Sequence, residues 1–279
     1  MMMKKLLIIL FSFIYLSALA NNKERICIDS LTKPLAEKEA IVILVGFGSK
    51  IQGTKKIADY FFHKGYDVYI PDYIARRSIA NSVDQLDKFM LKHQLKKYKK
   101  LHVFSYIVGA WTLNNWIAQH PTNNIASILY DRSPLQERAP YALVKDIPFL
   151  IHLAAGKIMK EFSETNYPPI SSEKISIGIL IESHATKLMI KHKATALAMG
   201  PIQWDVKSLN QSYNDYFYTW INHDEMYYRF DVIGDEIFYF IKNQKFRQYF
   251  FITHYNNVAV FSRKILLGYA QDILFTYCF

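Results

Sequence analysis

Leu101-His102-Val103-Phe104-Ser105-Tyr106-Ile107-Val108-Gly109-Ala110 compresses the end of a strand, a turn and the start of a helix into a single short segment. The apolar run from Leu101 to Ser105 reads as a buried strand. Ala110 to His120 then reads as a helix that stops at Pro121. Ser105 and Gly109 are small and stand two positions on either side of Ile107. So sharp a passage from strand to helix needs small neighbours at those positions. The residue between them is expected to take a strained backbone and to be thrust outward.

The flanking sequence repeats the same alternation. Ile41 to Val45 is β-branched and apolar without a polar alternate, as a strand covered on both faces requires. Gly46, Gly48 and Gly53 loosen the turn that follows. Thr54 to Lys64 has helical period, with Ile57, Tyr60, Phe61 and Phe62 on one side, and Gly65 ends it. Asp67 to Ile70 is a strand stopped by Pro71. Val83, Leu86, Asp87 and Met90 mark a helix, and Ile125 to Tyr130 a further strand. Strand and helix alternate with short connections, which predicts a parallel sheet with helices on both faces. Ile175 to Ile181 and Phe217 to Trp220 extend the sheet, and Asp231 to Asn243 closes it as a helix. Residues 132–170 and 184–212 are less regular and read as a lid or insertions over the sheet edge.

Taken together, these segments resemble the lipase-like α/β-hydrolases, class 2 bacterial lipases in particular. The central segment aligns without gaps to that family's L-H-F-V-G-H-S-L-G-G. Ser105 stands at the first glycine and Ile107 at the nucleophilic serine. Ile41 to Gly48 resembles the first core strand and its V-L-V-H-G-x-G loop, with Val45 in place of the histidine. Lys64 to Tyr73 resembles R-G-Y-x-V-x-x-P-D-Y, and Phe238 to Phe246 loosely matches the family ending. The resemblance spans roughly residues 40–245 and implies an α/β-hydrolase-like domain over about 25–245.

Such a site needs a nucleophile, a histidine to deprotonate it and an acid to orient the histidine. Asn222-His223-Asp224 falls where the family keeps its histidine, so His223 is the candidate base. Asp205 is the first candidate acid, with Glu182, after a predicted strand, as its alternative. Asp131 also ends a strand, but it follows the elbow too soon for the family's usual acid. The resemblance gives Phe47 and Val108 as the backbone N–H donors of an oxyanion hole. Ile107 has no group that can attack a carbonyl or activate water. The expectation is therefore a non-hydrolytic protein that binds a lipid, another apolar ligand or a protein partner. A carboxylic-ester hydrolase with an atypical nucleophile is the alternative.

The rest of the chain bounds this reading. It has 279 residues, 51% of them apolar, enough for a substantial core. Charged residues make up 21%, which excludes disorder as a description of the whole. Residues 1–20 read as a signal peptide: Lys4 and Lys5, an apolar run from Leu6 to Leu16, then Ala18-Leu19-Ala20. Export to the periplasm, a membrane surface or the medium is expected. The formal charge is +10, and it stays strongly positive without Lys4 and Lys5. Export argues against nucleic acid as the partner of that charge. No cofactor is expected; no histidine or cysteine has metal-ligand spacing, so no metal is either. Cys27 and Cys278 are the only cysteines and would either clip the termini together or stay as thiols. Arg76 and Arg77 read as a solvated loop. The aromatic-rich tail, 246–279, has rough helical period over Val258 to Tyr277. It is expected to pack across the domain as a helix, or else to meet a membrane surface or a partner.

Overall fold

The computed structural model describes residues 24–29, 33–121, 123–132, 138–165, 168–170, 173–182, 185–200, 206, 209–219 and 221–247, and the backbone of 251–253 and 258–261. The strands are β1 (Arg25–Cys27), β2 (Glu39–Leu44), β3 (Asp67–Ile70), β4 (Lys100–Ser105), β5 (Ile125–Asp131), β6 (Ser176–Glu182), β7 (Asp215–Thr219), β8 (Phe251–Thr253) and β9 (Val258–Phe261). They form one sheet in the order β1-β3-β2-β4-β5-β6-β7-β9-β8. From β3 to β7 every pairing is parallel. β1 is antiparallel to β3, and the β8–β9 hairpin is antiparallel to β7.

The helices are α1 (Ile51–His63), α2 (Ile79–Lys92), α3 (Ile107–Gln119), α4 (Ala139–Asp146), α5 (Pro148–Ala155), α6 (Ile158–Glu164), α7 (Lys187–Lys191), α8 (Lys193–Leu197), α9 (His223–Met226) and α10 (Phe230–Asn243). Side chains alternate across a strand, so each core strand serves two layers. Ile41, Ile43 and Val45 face Phe61 of α1 and Ile237 of α10. Val42 and Leu44 face Leu86 of α2 and Trp116 of α3 on the other side. This is the α/β-hydrolase fold, a mostly parallel sheet covered on both faces.

The predicted core elements lie within a few residues of those observed. Ser78 caps α2 by accepting from the Asn81 N–H at 3.1 Å. Asp87, beside the apolar stripe of that helix, accepts from Trp116 Nε1 at 3.0 Å and lies 3.0 Å from His120 Nε2. The irregular stretches carry short helices: α4 to α6 between β5 and β6, and α7 and α8 between β6 and β7. Both insertions leave the carboxyl ends of parallel strands and so stand over that edge. Arg76 is not free in a solvated loop, because its guanidinium donates to the Leu153 carbonyl near the end of α5.

Two expectations need correction. Val258–Phe261 is a strand, not the start of a helix. Its β-branched and aromatic residues suit the unpaired edge that β7 offers. The remainder of the tail, Asp205, residues 1–20 and Cys278 lie outside the described residues. Cys27 is half-buried and has no disulfide partner among the described residues.

The second correction is the elbow. Ile107 is the first residue of α3, and neither it nor Tyr106 takes a positive φ. Instead of projecting outward, Ile107 is 9% exposed and belongs to the core on the α2–α3 side. An apolar side chain gains by turning inward, and an ordinary helical backbone costs less than a strained one. The closeness of packing behind the turn remains. A Cβ on Gly109 would lie 2.5 Å from Leu44 Cβ and 2.6 Å from the Leu44 carbonyl oxygen.

Candidate functional site

The carboxyl ends of β5, β6 and β7 are neighbours in the sheet, and each delivers one residue to a common point. Asp131 is the last residue of β5, and Glu182 the last of β6. His223 opens α9, four residues after β7 ends. That single turn is fixed by a capping box. The Asn222 side chain accepts from the Glu225 N–H at 3.1 Å, and the Glu225 carboxylate accepts from the Asn222 N–H at 3.2 Å.

His223 Nδ1 lies 2.9 Å from Asp131 Oδ2 and 3.3 Å from Glu182 Oε1. Both carboxylates are buried, while the imidazole is 17% exposed. Asp131, set aside on its position in the sequence, is the nearer of the two. Burial alone would lower the pKa of His223. The hydrogen bonds and charges of the two carboxylates outweigh it and push the imidazole up to about 9. Burial, then the charge of Asp131, raises Glu182 to about 8. At neutral pH His223 is thus held as an imidazolium, a poor base.

Arg132 completes the cluster. Its Nη1 stands 3.3 Å from Glu182 Oε2, and its backbone takes a left-handed φ of 63°. Such a conformation costs a non-glycine residue on the order of 1–3 kcal/mol. The strain places the guanidinium against a carboxylate with little access to water. Asp131, Glu182 and His223 offer ligand atoms within 4.8 Å of one another, a spacing that a divalent ion could bridge.

On its other side, His223 meets the rings of two tyrosines, Tyr106 and Tyr227, and the buried Tyr106 hydroxyl has no hydrogen-bond partner among the described residues. The Tyr106 ring stands edge-on to the imidazole at 5.4 Å, and Tyr227 stacks on Tyr106 at 4.3 Å. Burial pushes both phenols well above their ordinary pKa. The Gly46 N–H donates to Tyr227 Oη at 3.0 Å, so this amide of the loop after β2 is already satisfied. Gly46 lies close to His223, whose Nε2 would be 3.8 Å from a Cβ placed on the glycine. Phe47 follows in that loop, partly buried against the core that includes Ile107 and Val108. Val108 is the second residue of α3, where backbone N–H groups have no partner within the helix. Ser105, the adjacent hydroxyl, is fully buried, and its Oγ has no hydrogen-bond partner.

Serine, histidine and glutamate also line up at the opposite end of the sheet. Ser127 Oγ lies 2.7 Å from His102 Nδ1, and His102 Nε2 lies 3.4 Å from Glu39 Oε2. The hydrogen bond to His102 holds Glu39 down to about 2. Ser127 is 2% exposed, so this row ties β2, β4 and β5 together and presents no nucleophile to solvent. Sequence separation hides it, because the three residues come from three different strands.

No family model and no curated protein matches the chain. Solved structures do. An α/β-hydrolase-fold protein from Chitinophaga pinensis is 10% identical, with a TM-score of 0.50 over 80% of this chain and 98% of that one. MGS-MChE2, an α/β-hydrolase enzyme from the metagenome of lagoon sediments at Mar Chica, Morocco, is 18% identical, with a TM-score of 0.48 over 75% and 92%. A structure from work on the metagenome-derived lipolytic enzymes LipS and LipT is 12% identical, with a TM-score of 0.49 over 79% and 97%. At 10% identity the likeness to the Chitinophaga pinensis protein speaks for the fold alone; the chemistry has to be argued from this chain's own residues.

Proposed function

We propose that this chain is a non-hydrolytic member of the α/β-hydrolase fold that binds an apolar ligand at the carboxyl edge of its sheet. The observation that carries the reading is Ile107. By the segment resemblance it takes the place of the nucleophile, it has no polar side-chain atom, and it is packed inward without a positive φ. The surroundings support it. His223 is held protonated by its contacts with Asp131 and Glu182, and the Gly46 amide is engaged by Tyr227. In this reading the cluster of Asp131, Glu182, Arg132 and His223 anchors three strand ends instead of moving a proton to and from a substrate. The segment resemblance suggests descent from class 2 lipases, and the N-terminal segment suggests export.

A second reading is favoured by the contact of His223 with Asp131. A histidine oriented by an acid at a strand edge is the arrangement an ester hydrolase uses. Hydrolysis would then need a nucleophile from elsewhere. Purified protein assayed with short- and long-chain p-nitrophenyl esters from about pH 6 to 10 separates the two. An oxyanion hole and substrate binding alone supply about 10³–10⁴-fold over water. The non-hydrolytic reading expects no more than that, whereas faster turnover abolished by His223→Ala would overturn it.

A further inference from the structure

A cleft of about 360 Å³ opens at the carboxyl edge of the sheet, between β1 and the first turn of α1. None of Asp131, Glu182 and His223 lines it. Its walls are Ile26 of β1, Val45, Ile70 of β3 and Ile51 of α1. Val45 and Ile70 are buried, and Ile51 is 60% exposed at the rim. Thr54 also lines the cleft, but its hydroxyl is spent on the Ile51 carbonyl at 3.0 Å.

The two charged residues at the mouth differ in what they are free to do. The Glu24 carboxylate is engaged by Lys92 Nζ and His93 Nε2, each at 3.0 Å. Arg25 has no ion pair among the described residues, and the first turn of α1 carries no acid. The cleft therefore offers one guanidinium above an apolar wall. Guanidinium is well matched to carboxylate oxygens. The volume is at the small end of the range of about 300–1,000 Å³ for ligand sites, which limits any chain to medium length.

We propose that this cleft binds a medium-chain monocarboxylate, with the carboxylate on Arg25 and the chain along Ile26, Val45, Ile70 and Ile51. The proposal rests on the reading that the chain binds rather than hydrolyses, and adds the ligand class and the place. Titration calorimetry of the full chain with hexanoate, heptanoate and octanoate, and with octan-1-ol, tests it. One molecule should bind per chain, and affinity should rise roughly fourfold per added methylene. Arg25→Gln should weaken octanoate by at least about tenfold and leave octan-1-ol unchanged. Ile51→Asp, at an exposed position that the fold does not need, should abolish the dependence on chain length. No binding of the carboxylates, affinity independent of chain length, or octanoate binding insensitive to Arg25→Gln would each overturn the proposal. Ester turnover would overturn the non-hydrolytic reading; a silent titration without turnover would remove this proposal alone.

Discussion

The proposed reading turns on two residues, Ile107 in the core and His223 at the strand ends. Replacing Ile107 with serine would supply a hydroxyl but remove buried apolar volume. The loss should be about 2–5 kcal/mol, within the range for large-to-small core changes, and is read as a fall in the thermal midpoint. No esterase activity should appear with it, because the new hydroxyl would start from an inward-facing position in the core on the α2–α3 side, while the ring that meets His223 is that of Tyr106. The imidazole makes a prediction of its own. His223 and Glu182 both bind protons more tightly in the folded chain than at their ordinary values of 6.5 and 4.5. The stability they contribute is complete below those ordinary values and drains as pH rises through about 8 and about 9. The thermal midpoint should fall between about pH 7 and pH 9.5, and His223→Gln should flatten the upper part of that fall. A wild-type midpoint that rises over this interval would contradict the assignment. His223 was legible in the sequence because it follows a strand in the right order. Asp131 was not, because sequence distance cannot tell which strand ends become neighbours in the sheet. Three such ends meet here, and the nearer acid came from the one that looked too early.

The element that depends most on a single small residue is α3. Gly109 lets its first turn approach β2 closely, and an added methyl group would press on Leu44 backbone and side chain alike. Gly109→Ala should therefore destabilise by about 1–3 kcal/mol through overpacking. Chemical denaturation would show this as a lower midpoint with an unchanged slope. The same change at Gly48, which has no neighbour within 4 Å, meets no such clash and costs only what its φ of 80° imposes. The core strands and helices were legible because each carries a continuous apolar run or a clear helical stripe. β1 was not. Arg25-Ile26-Cys27 is short and mixed in character, and it becomes a strand only by pairing with Val68 to Ile70. Backbone strain at the elbow was misjudged for a related reason. Small residues at 105 and 109 permit a strained turn, but the side chain between them decides whether one forms.

At the scale of the whole molecule, β1 and the β8–β9 hairpin extend the parallel strands at their two edges. Phe246, the last large core residue described, packs on Phe217 and Phe240 before the hairpin begins. Deleting residues 248–279 should therefore leave a folded core while exposing the edge of β7, and unpaired edges promote self-association. Circular dichroism should show the folded core, and light scattering should show association absent from the full chain. A monomeric truncation as stable as the full chain would mean that the hairpin adds nothing to the edge it pairs with.

We propose that the acid–histidine cluster of this fold serves no serine nucleophile. Intact-mass spectrometry of the purified chain after incubation with a serine-reactive phosphonate tests it most directly. The mass should stay unmodified, for wild type and for His223→Ala alike. A stoichiometric adduct on the wild type that is lost in His223→Ala would contradict it.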